Sequence, residues 1–245
     1  VTIVGATSGD TGSAAIEAIK GRKRADIFIL FPEGRVSPVQ QRQMTTVQAD
    51  NVHALAIEGT FDDCQDMVKA MFADAEFRGE VGLSAVNSIN WARIMAQIVY
   101  YFWAALRLGA PDREIDFCVP TGNFGNVFAG YAAKQMGLPV GQLMVGSNRN
   151  DILTRFFEND DMSIQGVEPS LSPSMDIQIS SNFERYLFDL LDRSGSATAR
   201  TMVDFRATGR MNVGQGGWEQ AKRDFHAFAL SDPKCLDAIR RWREK

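Results

Sequence analysis

The 245-residue chain carries 26 basic and 30 acidic side chains, for a formal net charge of -4. This slightly negative balance disfavours binding to nucleic acid or to an anionic membrane surface, so the expected partner is a small molecule. The longest apolar stretch, residues 94–108, is interrupted by Gln97 and Arg107, and no membrane span is predicted.

The cysteines lie far apart inside apolar periodic stretches, at Cys64, Cys118 and Cys235. Their spacing suits neither a disulfide framework nor a zinc site, and it predicts buried free thiols in a reducing compartment, here the cytoplasm. The sequence opens directly on a strand pattern at 1–5 and closes on a charged helical pattern at 236–245. We therefore expect an internal piece of a longer protein.

Strand patterns rich in β-branched residues alternate with helical patterns along the chain. The predicted strands lie at 1–5, 26–30 and 52–57, and the predicted helices at 11–20, 38–47 and 61–72. A second series has a helix at 91–108, a strand at 116–119, a helix at 127–136 and a strand at 140–145. Such alternation predicts an α/β fold with open, mainly parallel sheets.

Beyond Ser147 the pattern changes. A helix starting at 155–157, a proline and serine loop at 168–174 and a charged helical pattern from Phe183 onward predict an α-rich part. We divide the chain into a small α/β lobe at 1–92, part of a large α/β lobe at 93–150 and a mostly helical extension at 151–245.

Two loops place glycines and hydroxyl groups between a strand and a helix, where unpaired N–H groups can bind an anion. The first spans 6–13; as an alternative, Ser8 or Asp10 simply caps the helix that follows. The second spans 120–126, where two glycines let the backbone approach a phosphate and two asparagines add donors; the alternative is a plain turn. Neither loop matches a P-loop or a dinucleotide fingerprint.

A third polar segment, residues 87–93, surrounds a helix start with amide, hydroxyl and guanidinium groups. Asn87, Ser88 and Arg93 can form a cradle for a phosphorylated substrate. Alternatively, Ser88 or Asn90 caps the helix and Arg93 is a solvated side chain.

Five segments together carry a family resemblance. They are Ala-Thr-Ser-Gly-Asp-Thr-Gly at 6–12, Phe-Pro-Glu-Gly-Arg-Val-Ser-Pro at 31–38, Asn-Ser-Ile-Asn at 87–90, Val-Pro-Thr-Gly-Asn-Phe-Gly-Asn at 119–126 and Ser-Pro-Ser-Met-Asp-Ile at 172–177. In their order and spacing they resemble the long bacterial and fungal threonine synthases. The resemblance covers residues 1 to about 188 and implies a fold-type II pyridoxal-phosphate enzyme, similar to the tryptophan synthase β subunit.

By this resemblance, the full-length protein is expected to be a carbon–oxygen lyase acting on phosphates. It would convert O-phosphohomoserine and water to threonine and phosphate, with pyridoxal phosphate as an electron sink. The implied cofactor residues are Gly122, Asn123, Phe124, Gly125, Asn126 and Asp10, although for Asp10 a capping role remains open. The implied substrate residues are Thr7, Ser8, Thr11, Asn87, Ser88 and Arg93.

The family's Schiff-base lysine precedes the loop at 6–12, so the resemblance implies that it lies upstream of Val1. We therefore assign no catalytic residue within the chain and expect the chain alone to be inactive. Lys20, Lys23, Lys69 and Lys134 are interpreted as solvated charges. Two alternatives stay open: another fold-type II lyase of phosphorylated or hydroxy amino acids, and a non-catalytic anion-binding module. The oligomeric state is not predicted.

Overall fold

The computed structural model describes residues 1–7, 9–87 and 90–244, with only the backbone described at Asp62. The chain divides into two compact units, Val1–Ser88 and Ile89–Lys245. Each unit has its own hydrophobic core. None of the helices in the described part of the chain is both long enough and apolar enough to cross a membrane.

The first unit is an α/β unit built on one sheet. Its elements are β1 (Thr2–Ala6), α1 (Asp10–Ile19), β2 (Asp26–Pro32), α2 (Pro38–Thr45), β3 (Val52–Ile57), α3 (Phe61–Ala73), α4 (Ala75–Glu80) and β4 (Leu83–Ala85). The described strands pair in the order β3-β2-β1-β4, and all pairs are parallel. Capping boxes at Ser37 and Thr60 start α2 and α3.

The second unit combines a parallel sheet with more helices. Its elements are α5 (Trp91–Arg107), β5 (Ile115–Pro120), α6 (Gly125–Gln135), β6 (Val140–Ser147), α7 (Ile152–Asn159), β7 (Met162–Ser163), a 3₁₀ turn (Pro173–Met175), α8 (Phe183–Leu190), α9 (Gly195–Thr208), β8 (Arg210–Met211), α10 (Gly214–Asp224), β9 (Phe225–Ala229) and α11 (Asp232–Arg243). Strands β5, β6 and β9 pair in that order, all parallel, and β7 pairs with β8 antiparallel.

The predicted α/β class with parallel sheets is confirmed, but two local expectations were wrong. The helical pattern predicted from Phe183 onward is broken by the five-residue strand β9. This strand forms the edge of the sheet beside β6, and its first residue, Phe225, is 1% exposed. Of the cysteines, only Cys64 is buried, whereas Cys118 and Cys235 are exposed. Cys118 lies in β5 and Cys235 in α11, both at positions that face solvent. The spacing of apolar residues predicts a strand or helix but does not by itself show which face is buried.

Candidate functional site

The loop between β5 and α6, residues 121–124 with the first residues of α6, lies at the carboxyl edge of a parallel sheet. Ligands of open α/β sheets bind at this edge. Phe124, the residue just before α6, has a left-handed backbone with φ 63°. Its ring is 1% exposed and packs 5.2 Å from Phe225 and 5.4 Å from Phe183, measured between ring centroids. The aromatic core therefore anchors the loop, and Phe124 can offer a ligand only its backbone.

The N–H groups of this loop are suited to an anion. Groups in the first turn of a helix have no intrahelical acceptor, and in the described part of the chain no other group accepts from the N–H groups of residues 122–126. The first turn of α6 contains no acidic side chain. These donors and the positive end of the helix dipole fit a phosphate dianion.

The carbonyl groups of the same loop are held by a segment far along the chain. Ser180 Oγ donates to the Gly122 carbonyl at 2.8 Å, and both the backbone N and Nδ2 of Asn182 donate to the Asn123 carbonyl at 3.0 Å. Ser181 Oγ donates to Asn123 Oδ1 at 3.2 Å. The sequence analysis missed this bracing segment, residues 180–182, because it lies 58 or more residues from the loop it holds.

Gly122 was expected to let a phosphate approach the backbone, but in the structure it packs against the segment around the 3₁₀ turn. A Cβ at this position would lie 3.2 Å from the Ser174 carbonyl oxygen and 3.3 Å from Met175 Cα. The position is thus closely packed against the segment around the 3₁₀ turn. The requirement for glycine comes at least partly from this packing, and approach of a phosphate is not needed to explain it.

Asp176 fixes the segment that packs on Gly122. Its carboxylate accepts hydrogen bonds from the Ser170 backbone N at 2.9 Å, from Ser170 Oγ at 2.6 Å and from Asn148 Nδ2 at 2.7 Å. Asn150 Nδ2 adds a fourth at 3.1 Å. Asn148 and Asn150 follow β6 and are buried, so the network ties the segment to the same sheet edge as the loop.

Asn126, another predicted cofactor residue, has its side-chain oxygen in a contact with α5. Tyr101 Oη donates to Asn126 Oδ1 at 2.7 Å and lies 3.0 Å from the Asn126 carbonyl. Burial raises the pKa of the Tyr101 phenol, which keeps it a neutral donor. Any contribution of Asn126 to an anion then comes from its backbone or its amide nitrogen.

The loop after β1 closes on itself through Thr7. This side chain is 2% exposed, and its Oγ1 accepts from the Gly9 and Gly12 N–H groups, each at 2.9 Å. The alternative in which Asp10 or Ser8 caps the helix is therefore wrong for Asp10, which makes no such bond. Ser8 lies outside the described residues.

Asp10 is exposed and turns toward the start of α2. Its Oδ1 accepts from Gln40 Nε2, and Gln40 belongs to the capping box of Ser37. Gly9, with φ 134°, leaves the space that the Gln40 side chain fills. This contact with Gln40 explains the position of the Asp10 side chain without a ligand. A cofactor contact of Asp10 stays a prediction, and so does the substrate role of Thr7 and Thr11.

The third polar segment falls at the division between the two units. Asn90 caps α5, with its Oδ1 accepting from the Ala92 N–H at 2.9 Å, which confirms the capping alternative for that residue. Arg93 is half-buried in the first turn of α5, and burial is the main cause that lowers the pKa of its guanidinium, opposed by Tyr100. Asn87 belongs to the first unit, and Ser88 lies outside the described residues, so the cradle stays a prediction.

The lysines considered from the sequence are exposed or make contacts within their own unit. Lys20 pairs with Glu17 at 2.6 Å and Lys69 with Asp66 at 2.7 Å, and Lys23 is exposed at the turn after α1. Lys134 Nζ donates to the carbonyl of Gly141, near the start of β6 and thus at the opposite edge of the sheet from the loop.

Comparison with known proteins assigns the family. The family model described as pyridoxal-phosphate dependent enzyme matches residues 1–208. The chain belongs to the pyridoxal-phosphate-dependent enzyme family. This membership agrees with the geometry, since the loop after β5 has N–H donors suited to a phosphate group.

Several relatives within the family cover nearly the whole chain. It is 59% identical over 239 residues to threonine synthase of Pseudomonas aeruginosa, covering 98% of this chain and 51% of that protein. For threonine synthase of Saccharomyces cerevisiae the identity is 44% over 257 residues, covering 98% and 49%. The chain thus spans about half the length of these relatives.

Solved structures agree with the fold of this family. The pyridoxal-phosphate-bound threonine synthase from Brucella melitensis superposes with a TM-score of 0.87 at 58% identity, covering 94% of this chain and 50% of that one. Maize serine racemase superposes with a TM-score of 0.62 at 12% identity, over 98% and 59% of the two chains. The second likeness shows the fold alone, and together they confirm the predicted fold-type II architecture.

Proposed function

We propose that this chain is part of a threonine synthase, which converts O-phosphohomoserine and water to threonine and phosphate in the cytoplasm. The observation that carries the proposal is the set of N–H donors after β5, in a chain 59% identical to a threonine synthase. By full-length protein we mean this chain with whatever its gene encodes on either side.

Within that function we assign the cofactor phosphate to the backbone of residues 122–126, where the donors and the helix dipole balance its charge without a basic side chain. Pyridoxal phosphate, when bound, supplies an electron sink for carbanion chemistry. Asp10 is assigned to the cofactor. The substrate amino acid is assigned to Thr7, Ser8 and Thr11, and the substrate phosphate to Asn87, Ser88 and Arg93. The half-buried Arg93 supports this, because a desolvated cation gains more from an anionic partner.

These roles give the proposed lobes their functions. Residues 1–92 carry the substrate loop, residues 93–150 carry the cofactor loop, and residues 151–245 supply the segment that braces it through Ser180 and Asn182.

Product analysis tests the proposal. Full-length protein incubated with pyridoxal phosphate and O-phosphohomoserine should release equal amounts of phosphate and threonine, measured by amino-acid chromatography and a phosphate assay. A reaction without added substrate serves as the control. Release of phosphate with a 2-oxo acid in place of threonine would instead identify a lyase that degrades the same substrate, and no phosphate release would reject both.

A further inference from the structure

The residues that brace the loop after β5 have no role in the family assignment, yet they determine where its donors point. A peptide unit is planar and trans, so the N–H of one residue points away from the carbonyl of the residue before it. Fixing the Gly122 carbonyl therefore fixes the direction of the Asn123 N–H. Fixing the Asn123 carbonyl does the same for the Phe124 N–H.

Both carbonyls are fixed from the same short segment. Ser180 Oγ holds the Gly122 carbonyl at 2.8 Å, and Asn182 holds the Asn123 carbonyl with two donors at 3.0 Å. The two N–H groups of these peptide units accordingly point away from the bracing segment. In the described part of the chain they have no acceptor.

The bracing segment is buried and held by contacts of its own. Asn182 is fully buried and Ser180 is 7% exposed. Arg185 Nε donates to Asn182 Oδ1 at 3.3 Å, which orients the amide so that Nδ2 faces Asn123. Phe183, the first residue of α8, is 2% exposed in the same aromatic core as Phe124. Brace and loop are thus anchored in one core.

We propose that Ser180 and Asn182 are positioning residues that aim the Asn123 and Phe124 N–H groups at the cofactor phosphate. The inference rests on the proposed function, because it takes the ligand to be pyridoxal phosphate. It goes beyond that function in assigning phosphate selectivity to two residues that contact the loop through its carbonyl groups.

The test compares two ligands that differ only in the phosphate. Affinities of the full-length protein for pyridoxal phosphate and for pyridoxal are measured by spectroscopic titration after cofactor removal. In Ser180→Ala and in Asn182→Asp, an N–H group of the loop should lose its direction and with it a hydrogen bond to the charged phosphate. Such a bond is worth at least about a factor of ten, so pyridoxal phosphate affinity should fall roughly tenfold or more. Pyridoxal affinity should change by less than about twofold, because pyridoxal has no phosphate to accept from the two N–H groups.

Two further variants separate positioning from folding. Ser180→Thr keeps the hydroxyl and should restore most of the phosphate preference. Thr198→Val removes a different buried hydroxyl, which donates to the Ser194 carbonyl at 2.9 Å in α9, and should leave the preference unchanged. If Asn182→Asp fails to fold, because it buries a carboxylate, the Ser180 pair still decides the question.

Each outcome has a distinct meaning. Equal losses for both ligands in Ser180→Ala, or no loss for either, would overturn the positioning role while leaving the proposed function intact. A wild-type protein that binds pyridoxal as tightly as pyridoxal phosphate would overturn the cofactor assignment of the loop, and the positioning role with it. A selective loss restored by Ser180→Thr supports both.

Discussion

The loops after β1 and after β5 have the same plan, a strand, a glycine-containing turn and a helix, but they treat their backbone donors differently. In the first, a buried hydroxyl on Thr7 accepts from two N–H groups of the turn and helix. In the second, side chains of a distant segment hold the carbonyls, and no described group outside the helix accepts from the N–H groups. A strand-to-helix loop can therefore either cap itself or keep its donors for a ligand, and composition alone does not distinguish the two.

The largest expected effect tests the self-capping of the first loop. Thr7→Val keeps the shape of the side chain but leaves the Gly9 and Gly12 N–H groups without their acceptor. Since each buried unpaired donor costs about 1 to 3 kcal/mol, we expect the free energy of unfolding to fall by roughly 2 to 4 kcal/mol. Denaturant titration of the full-length protein measures it. Thr7→Ser, which keeps the hydroxyl, should lose clearly less; equal losses would show that the hydroxyl does not cap the loop.

The next effect separates a substrate phosphate site from the cofactor loop. If Arg93 binds the substrate phosphate as proposed, Arg93→Ala in the full-length protein removes a charge-assisted contact worth about 1.5 to 3 kcal/mol. The value of kcat/KM for O-phosphohomoserine should drop roughly 10- to 150-fold, while cofactor retention stays nearly constant. An unchanged kcat/KM, or a parallel loss of cofactor, would assign this residue to a different ligand.

A smaller effect is expected at the back of the second loop. Gly122→Ala places a methyl group 3.2 Å from the Ser174 carbonyl oxygen, so the loop or the segment at 174–177 must shift. Overpacking of this kind costs about 1 to 3 kcal/mol of stability. Because the shift also moves the N–H groups of the loop, the affinity for pyridoxal phosphate should weaken. Gly166→Ala is a matched control, because no atom lies within 4 Å of its added methyl. Similar affinities for both variants would argue that the backing of the loop is unimportant.

The smallest effect distinguishes a helix cap from a ligand contact. Asn90→Ala removes the cap of α5 and should lower the free energy of unfolding by about 1 kcal/mol. Thermal unfolding should reveal this shift, while kcat/KM for O-phosphohomoserine changes little. A loss of kcat/KM as large as that of Arg93→Ala would place Asn90 among the substrate contacts instead.

The sequence predicted the parts of the molecule that depend on local patterns. Apolar periodicity located β1 to β3, β5 and β6 and the helices α1 to α3, α5 and α6, and glycine, hydroxyl and amide residues marked the loops. It did not predict the short α4 and β4, at Ala75–Glu80 and Leu83–Ala85. It failed for β9, where five residues, Phe225–Ala229, follow a helical pattern without a turn signal. It also offered Asp10 or Ser8 as the cap of the first loop, whereas the Thr7 hydroxyl accepts from the Gly9 and Gly12 N–H groups and Asp10 does not cap.

The bracing of the second loop was outside the reach of sequence reasoning. Ser180 and Asn182 lie 58 and 59 residues from the atoms they hold, and nothing in their local pattern indicates a contact that only the folded core creates. The same holds for Gly122, whose neighbours Ser174 and Met175 are about fifty positions away. Local pattern gives the donors of the site, and tertiary packing gives their direction.

The most direct test is a crystal structure of the full-length protein with pyridoxal phosphate bound. We predict that the phosphate oxygens lie within hydrogen-bonding distance, about 2.7 to 3.2 Å, of N–H groups in residues 122–126, with the Ser180 and Asn182 contacts to the loop carbonyls preserved. A cofactor phosphate bound by the loop after β1, or by basic side chains away from α6, would contradict the assignment.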